Sequence, residues 1–262
     1  MKERILEKLS PEYPWADRVF WFPEIGSTNT EAKKLAQNGA PQGTALIADA
    51  QTGGRGRMGR SFHSASGVGV YLSVILRPEC KPEQLMHLTC AVAVAMCRAL
   101  QKATGYCPGI KWINDLIAEG KKLGGILTEL SLNPATGLVD FAIVGIGINC
   151  NQELADFPED IWNIATSLRA VLGHSVDRSL LIAAMLEALR EMADTLLTDK
   201  NGLMAAYKAS CITLGQDVYL LRGESRYPCR ALDLDADGSL LVEYPDGKQE
   251  FVCSGEVSVR NF

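Results

Sequence analysis

The sequence predicts an α+β chain: a main domain over residues 1–211 built on a mixed sheet, then a small all-β module over 212–262. Three observations carry this. Apolar runs of strand length between 18 and 150 alternate with two segments of helical spacing, and a third such segment stands at 178–199. From 212 onward the helical period is gone, and short runs are separated by R-G, D-A-D-G and P-D-G turns.

In order, RVFWFPEI (18–25) reads as a strand. A helix follows over 29–38, with Thr28 and Glu31 at capping-box spacing and Asn38-Gly39 as its stop. GTALIADA (43–50) and GVYLSVIL (69–76) are strands on either side of a glycine–arginine loop. Residues 82–104 place Leu85, Leu88, Val92, Met96 and Leu100 on one helical face. The segments 110–132 and 138–150 are strand-rich, and the second is so apolar that it belongs at the centre of a sheet. After a loop with Pro158, the helix at 178–199 turns Leu181, Met185, Leu189 and Met192 inward. The terminal module reads as a barrel of five short strands.

Composition sets limits. With 262 residues, 47% hydrophobic and 22% charged, the chain can bury a sizeable core, and its net charge of −5 argues against a broad nucleic-acid surface. The eight cysteines form no C-x-x-C pair and no zinc spacing, and Cys90 and Cys97 lie in an apolar run where a reduced cysteine acts as a small hydrophobe. No apolar leader or membrane-spanning segment is present, so a soluble cytoplasmic protein is expected.

The sharpest local feature is QTGGRGRMGRS (51–61), three arginines among four glycines in an acidic chain. Gly54, Gly56 and Gly59 spell G-x-G-x-x-G, but a strand rather than a helix follows, which breaks the dinucleotide fingerprint. A kinase loop lacks its H-R-D and D-F-G partners. An RNA-binding arginine–glycine segment, or a plain solvated loop, would also have this composition. A clamp over a small anion accounts for both residue types: glycines let backbone N–H groups approach oxygens, and arginines supply bidentate charge. Lys111, at a strand end before Trp112 and the Asn114-Asp115 turn, is a candidate second cation on a reacting centre. Gly124-Gly125 and the glycines of GIGINCN (145–151) weaken strands, which marks close approach of a ligand or another backbone.

STNTEA, AQTGGRGRMGRSF, KWINDLI with KLGGILTEL, and VGIGINCN stand in the order and spacing of the biotin–protein ligases, and the resemblance spans 18–262. It implies a class II synthetase-like catalytic domain of the biotin/lipoate ligase type with an SH3-like C-terminal barrel. It also implies a two-step reaction: biotin and MgATP give biotinyl-5′-AMP, then a lysine of a biotin carboxyl carrier protein or domain takes the biotin. By the same resemblance Ser27, Thr28, Asn29 and Gln51 contact biotin, while Gly54, Arg55, Gly56 and Arg57 fold over biotin and the adenylate. Gly124, Gly125, Gly145, Gly147 and Asn149 complete that binding set. Lys111 and Arg57 act on the reacting carboxylate and α-phosphate, and Asp115 orients Lys111, helps hold Mg²⁺ or activates the acceptor amine. No Mg²⁺ ligand is assigned.

Two departures stand out: Ile113 replaces the family's usual proline, and Met58 a usual basic residue. Fewer than twenty residues precede the first strand, which predicts the short form, without a DNA-binding domain or operator binding, as a monomer or homodimer. A lipoate– or octanoate–protein ligase is the nearest rival activity, and a noncatalytic anion-binding module is a rival of a different class.

Overall fold

A computed structural model describes residues 1–253 and the backbone of 256–259; the remaining residues of the module predicted over 212–262 lie outside the described set. The elements are α1 (Lys2–Leu6), β1 (Val19–Ile25), α2 (Thr28–Gln37), β2 (Ala45–Gln51), β3 (Gly69–Leu76), α3 (Leu88–Thr104), β4 (Gly109–Lys111), β5 (Asp115–Ala118), β6 (Lys121–Leu132) and β7 (Val139–Asn149). They continue with α4 (Leu168–Leu172), α5 (Arg178–Thr195), α6 (Lys200–Ser210), β8 (Asp217–Arg222), β9 (Ser225–Leu234), β10 (Leu240–Glu243), β11 (Gln249–Val252) and β12 (Glu256–Val259).

Strands β1 to β7 form a mixed sheet in the order β1-β2-β3-β7-β6-β5-β4. Only β1 and β2 run parallel, and α2 supplies the crossover that a parallel pair requires. The apolar strand β7 is central, hydrogen-bonded to β3 and β6 and buried along most of its length. Side chains on β3 alternate between faces. Val70, Leu72, Val74 and Leu76 join the large core with α3 and α5, while Ile75 meets Ala32 and Ala36 of α2. Helix α3 is buried almost all round because α5, α6 and the sheet enclose it.

The helix expected over 178–199 ends at Thr195, and a separate helix, α6, follows at once. Asn201-Gly202 in sequence reads as a turn, but Asp199 caps this second helix by accepting from Gly202 N–H at 3.0 Å, and Leu203, Met204 and Tyr207 bury its inner face.

Strands β8 to β12 form an antiparallel five-stranded sheet in the order β11-β10-β9-β8-β12. It is fastened to the main sheet through the β4–β5 hairpin. Trp112 donates its indole N–H to Gly238 O at 2.8 Å and its backbone N–H to Thr213 Oγ1 at 2.9 Å. Tyr207 on α6 donates to Ile113 O at 3.1 Å, and the Trp112–Ile113 peptide is cis. Lys208–Asp233, at 2.8 Å, and Lys200–Asp237 pair across the same junction.

Arg178, 8% exposed at the start of α5, binds Gly69 O and the Asp49 carboxylate, each at 2.7 Å. Burial works against the Asp49 charge, but the bonds from Arg178 and Ser66 outweigh it and hold the carboxyl below its usual range. Its stabilisation is therefore present above the unfolded carboxylate value of about 4 and is lost as pH falls through the lower folded value. Arg178→Met is expected to cost about 3 kcal/mol in urea unfolding at pH 7, because it strands a partly buried carboxylate. The deficit should shrink in parallel measurements at pH 3.

Candidate functional site

The sheet face opposite α3 is covered by α2 at one end and stripped of side chains at the other. Strand alternation puts Gly125, Leu127 and Glu129 of β6, Gly145 and Gly147 of β7, and Ser73 of β3 on this face. The start of α2, the end of β2 and the glycine–arginine loop close the space above it.

Helix α2 is capped by Ser27, whose side chain accepts from Thr30 N–H at 3.5 Å; the cap is not Thr28, as its spacing to Glu31 had implied. Thr28 is consequently available elsewhere. Its hydroxyl donates to Gln51 Oε1 at 3.0 Å, and the same oxygen accepts Thr28 N–H at 2.8 Å. Gln51 Nε2 in turn donates to Ser64 Oγ at 3.0 Å. Asn29 donates to Glu129 at 2.9 Å and Leu127 O at 3.3 Å, and its Oδ1 accepts from Ser73 at 2.7 Å. Buried polar groups satisfied in this way fix the orientation of the pocket wall.

The glycines are explained by the chain itself. A Cβ on Gly145 would lie 1.8 Å from Asn29 Oδ1, and one on Gly147 would lie 2.6 Å from the Phe62 ring. These two gaps, expected to admit a ligand or another backbone, are filled by side chains. Gly124 does meet a backbone, with its Cβ position 2.6 Å from Gly147 O. A Cβ on Gly54 would lie 2.4 Å from Phe62 O, so the missing side chain lets the loop's base close. Asn149 is buried and donates to Thr166 O at 3.0 Å and Lys122 O at 3.4 Å; it braces the wall of a neighbouring cleft and does not line this pocket.

The loop folds as a short hairpin, with Arg55 bridged to Ser61, Gly56 N–H on Arg60 O at 2.7 Å, and Met58 and Gly59 at positive φ. Arg55 Nη1 lies 3.2 Å from both Glu129 oxygens, and Arg57 Nη1 donates to Asn114 Oδ1 at 2.9 Å. With these side chains across it the pocket keeps only about 50 Å³ open. Small-molecule sites start at roughly 300 Å³, so a ligand must displace the arginines from their present acceptors.

Beside this pocket lies a cleft of about 940 Å³, between the β4–β5 hairpin and the 157–165 segment, reaching Ile212 and Gln216 at the module junction. Lys111 and Asp115 line it. A smaller cavity joins the two, with Arg57, Asn114 and Lys122 shared on the pocket side and Lys111 and Asp115 on the cleft side. Of the three roles expected for Asp115, orienting its cross-strand neighbour Lys111 is not what its carboxylate does here: it lies 2.7 Å from Lys122 Nζ. The cause is Gly125: the space left by its absent side chain is occupied by the Lys122 chain, with Cε 3.3 Å from the would-be Cβ.

Lys122, Asn114, Glu129 and Phe62 are site residues that sequence reasoning missed. A carboxylate and a lysine within the otherwise apolar strand KKLGGILTEL were the signal that could have found two of them. Among the described residues no group of three or more His, Cys, Asp or Glu side chains could hold a metal ion.

Comparison with known proteins agrees with this geometry. Residues 21–149 match the family model described as the biotin/lipoate A/B protein ligase family, and residues 213–260 match the biotin protein ligase C-terminal domain. The bifunctional ligase/repressor BirA of Bacillus subtilis is 37% identical over 230 residues, which cover 87% of this chain and 70% of that protein. A biotin–[acetyl-CoA-carboxylase] ligase of Mycobacterium tuberculosis is 32% identical over 243 residues, 89% of this chain and 86% of the relative. The structure of a biotin protein ligase from Aquifex aeolicus in complex with biotin and ATP superposes with a TM-score of 0.77 at 32% identity, covering 93% of this chain and 99% of that one.

Gly145→Ala drives a methyl group into Asn29, and overpacking of this kind costs about 1–3 kcal/mol. Denaturant unfolding should show that loss, and Asn29→Ala in the same chain should recover part of it by vacating the space.

Proposed function

From the premise that this chain belongs to the biotin/lipoate A/B protein ligase family, we infer that it is a biotin–protein ligase. It activates biotin with ATP as biotinyl-5′-AMP and transfers the biotin to a specific lysine of a biotin carboxyl carrier protein or domain. One observation carries the assignment of roles: Arg57, Lys111 and Lys122 gather where the narrow pocket opens into the wide cleft. Two anionic substrates, one in each space, would meet there.

The pocket over Gly125, Gly145 and Gly147 takes the biotin ring system, and Ser27, Thr28 and Gln51 present donors and acceptors suited to a cyclic urea. The cleft takes the nucleotide. The biotin carboxylate attacks the α-phosphorus and pyrophosphate leaves, with negative charge building on the α-phosphoryl oxygens. Arg57, Lys111 and Lys122 offset the repulsion between the two anions and stabilise that charge. Arg55 exchanges Glu129 for the ligand as the loop settles over it, and the covered mixed anhydride is kept from water.

Mg²⁺ brought with ATP would supply neutralisation of phosphate charge, and Asp115, which lines the cleft, would be the carboxylate to help hold it. In the second step Asp115 is assigned the proton of the acceptor amine, once its pair with Lys122 opens. The boundary between the catalytic domain and the SH3-like module falls near residue 212, and the module holds the Lys111 hairpin in place through Trp112. No helix among the described residues is long and apolar enough to cross a membrane; a cytoplasmic location is part of the proposed function.

The test is pyrophosphate release from MgATP with biotin or lipoate supplied in turn. Biotin-dependent release should fall about 100-fold or more in Arg57→Ala, Lys111→Ala and Lys122→Ala, the range for removing one transition-state donor. Release with lipoate alone would move the assignment to the sister activity. Asp115→Ala should retain adenylation better than transfer from preformed biotinyl-AMP; equal losses in both steps would remove its role as acceptor base.

A further inference from the structure

We propose that Cys97 and Cys107 form a redox couple, in which peroxide oxidises the exposed Cys107 and Cys97 closes a reversible disulfide with it. Six of the eight cysteines are buried; Cys107 and Cys253 are the exposed ones. Of these two, Cys107 has a buried cysteine directly beside it. Cys97, on the inner face of α3, donates to Pro108 O at 3.6 Å, and Cys107 donates to the same oxygen at 3.8 Å. The two sulfurs share one acceptor and interact with each other, and Gly105, in the left-handed conformation at the end of α3, makes the turn that brings the segments together.

The chemistry balances with a hydroperoxide as oxidant. Cys107 loses its proton, its sulfur attacks the O–O bond, and hydroxide leaves to become water, giving a sulfenic acid. Cys97 then loses its proton, its sulfur attacks that of Cys107, the S–O bond breaks and a second water leaves. The two thiols give up two electrons, and the peroxide is reduced to two waters.

Burial and the neighbouring Cys107 push the Cys97 thiol up to about 12, which disfavours its thiolate. A partner already held beside the sulfenic acid offsets this by proximity, because the second step is intramolecular. The same placement protects Cys107 from further oxidation, because the sulfenic acid is captured before a second peroxide arrives. The consequence for the fold is a tether between α3 and the segment that enters β4, whose last residue is Lys111.

The experiment treats the reduced full-length protein with one equivalent of hydrogen peroxide, alkylates remaining thiols and maps peptides without reduction. The expected result is a Cys97–Cys107 crosslink, two fewer titratable thiols, and full recovery with dithiothreitol. Cys97→Ser should instead leave Cys107 as a dimedone-reactive sulfenic acid, and Cys107→Ser should abolish the crosslink while leaving Cys97 reduced. A dimedone adduct on Cys107 in the unaltered protein without a crosslink, a crosslink to Cys253, or no oxidation at Cys107 would each overturn the proposal.

Discussion

The architecture of the site depends on the absence of side chains along one face of the two central strands. Gly125, Gly145 and Gly147 alternate with core residues that point the other way, so the sheet is fully packed against α3 while its opposite face is bare. The vacancies are then taken up by Lys122, Asn29 and Phe62, which arrive from three other places in the chain. A strand interior is an unfavourable place for glycine, and that cost is accepted here because it lets a polar wall form directly on the backbone of the sheet.

Electrostatics follows from the same arrangement. An acidic chain gives three of its site cations a modest internal acceptor: Glu129 for Arg55, Asn114 for Arg57 and Asp115 for Lys122. These contacts are partly exposed, and pairs of that kind contribute little to folding. Their weakness suits the site, since a carboxylate or phosphate can replace the internal acceptor at small cost while side chains already point inward.

Much of this was legible in the sequence. The apolar run at 138–150 required a central strand, the loss of helical period after 212 marked the second sheet, and the four motifs drew together the loop, the α2 start and the hairpin. What was not legible is instructive. Ser27 rather than Thr28 caps α2: the Thr28–Glu31 spacing pointed one residue too far, and Ser27, with Thr30 three residues on, caps without a capping-box partner. Asp115 and Lys111 look like partners in a hairpin, yet a glycine ten residues farther on opens a path for Lys122. Helix α6 was not read from the sequence, which ran one helix over 178–199; the Asp199 cap and the burial of Tyr207 set it. In each case the deciding contact was with a residue that local pattern does not address.

The junction at Gly238 has an implication for how sequence change would be read. Its φ of +88° disfavours a side chain, and a Cβ would sit 2.7 Å from Cys90 Sγ, while its carbonyl receives the Trp112 indole. Helix α3, the β4–β5 hairpin and the second sheet therefore share one point of contact with no slack. In a genetic screen, a substitution at Gly238 would be scored alongside lesions in the Lys111 hairpin, although it touches no substrate. The two sheets are accordingly bound to drift together: a neutral change on one side of this contact limits which changes are neutral on the other.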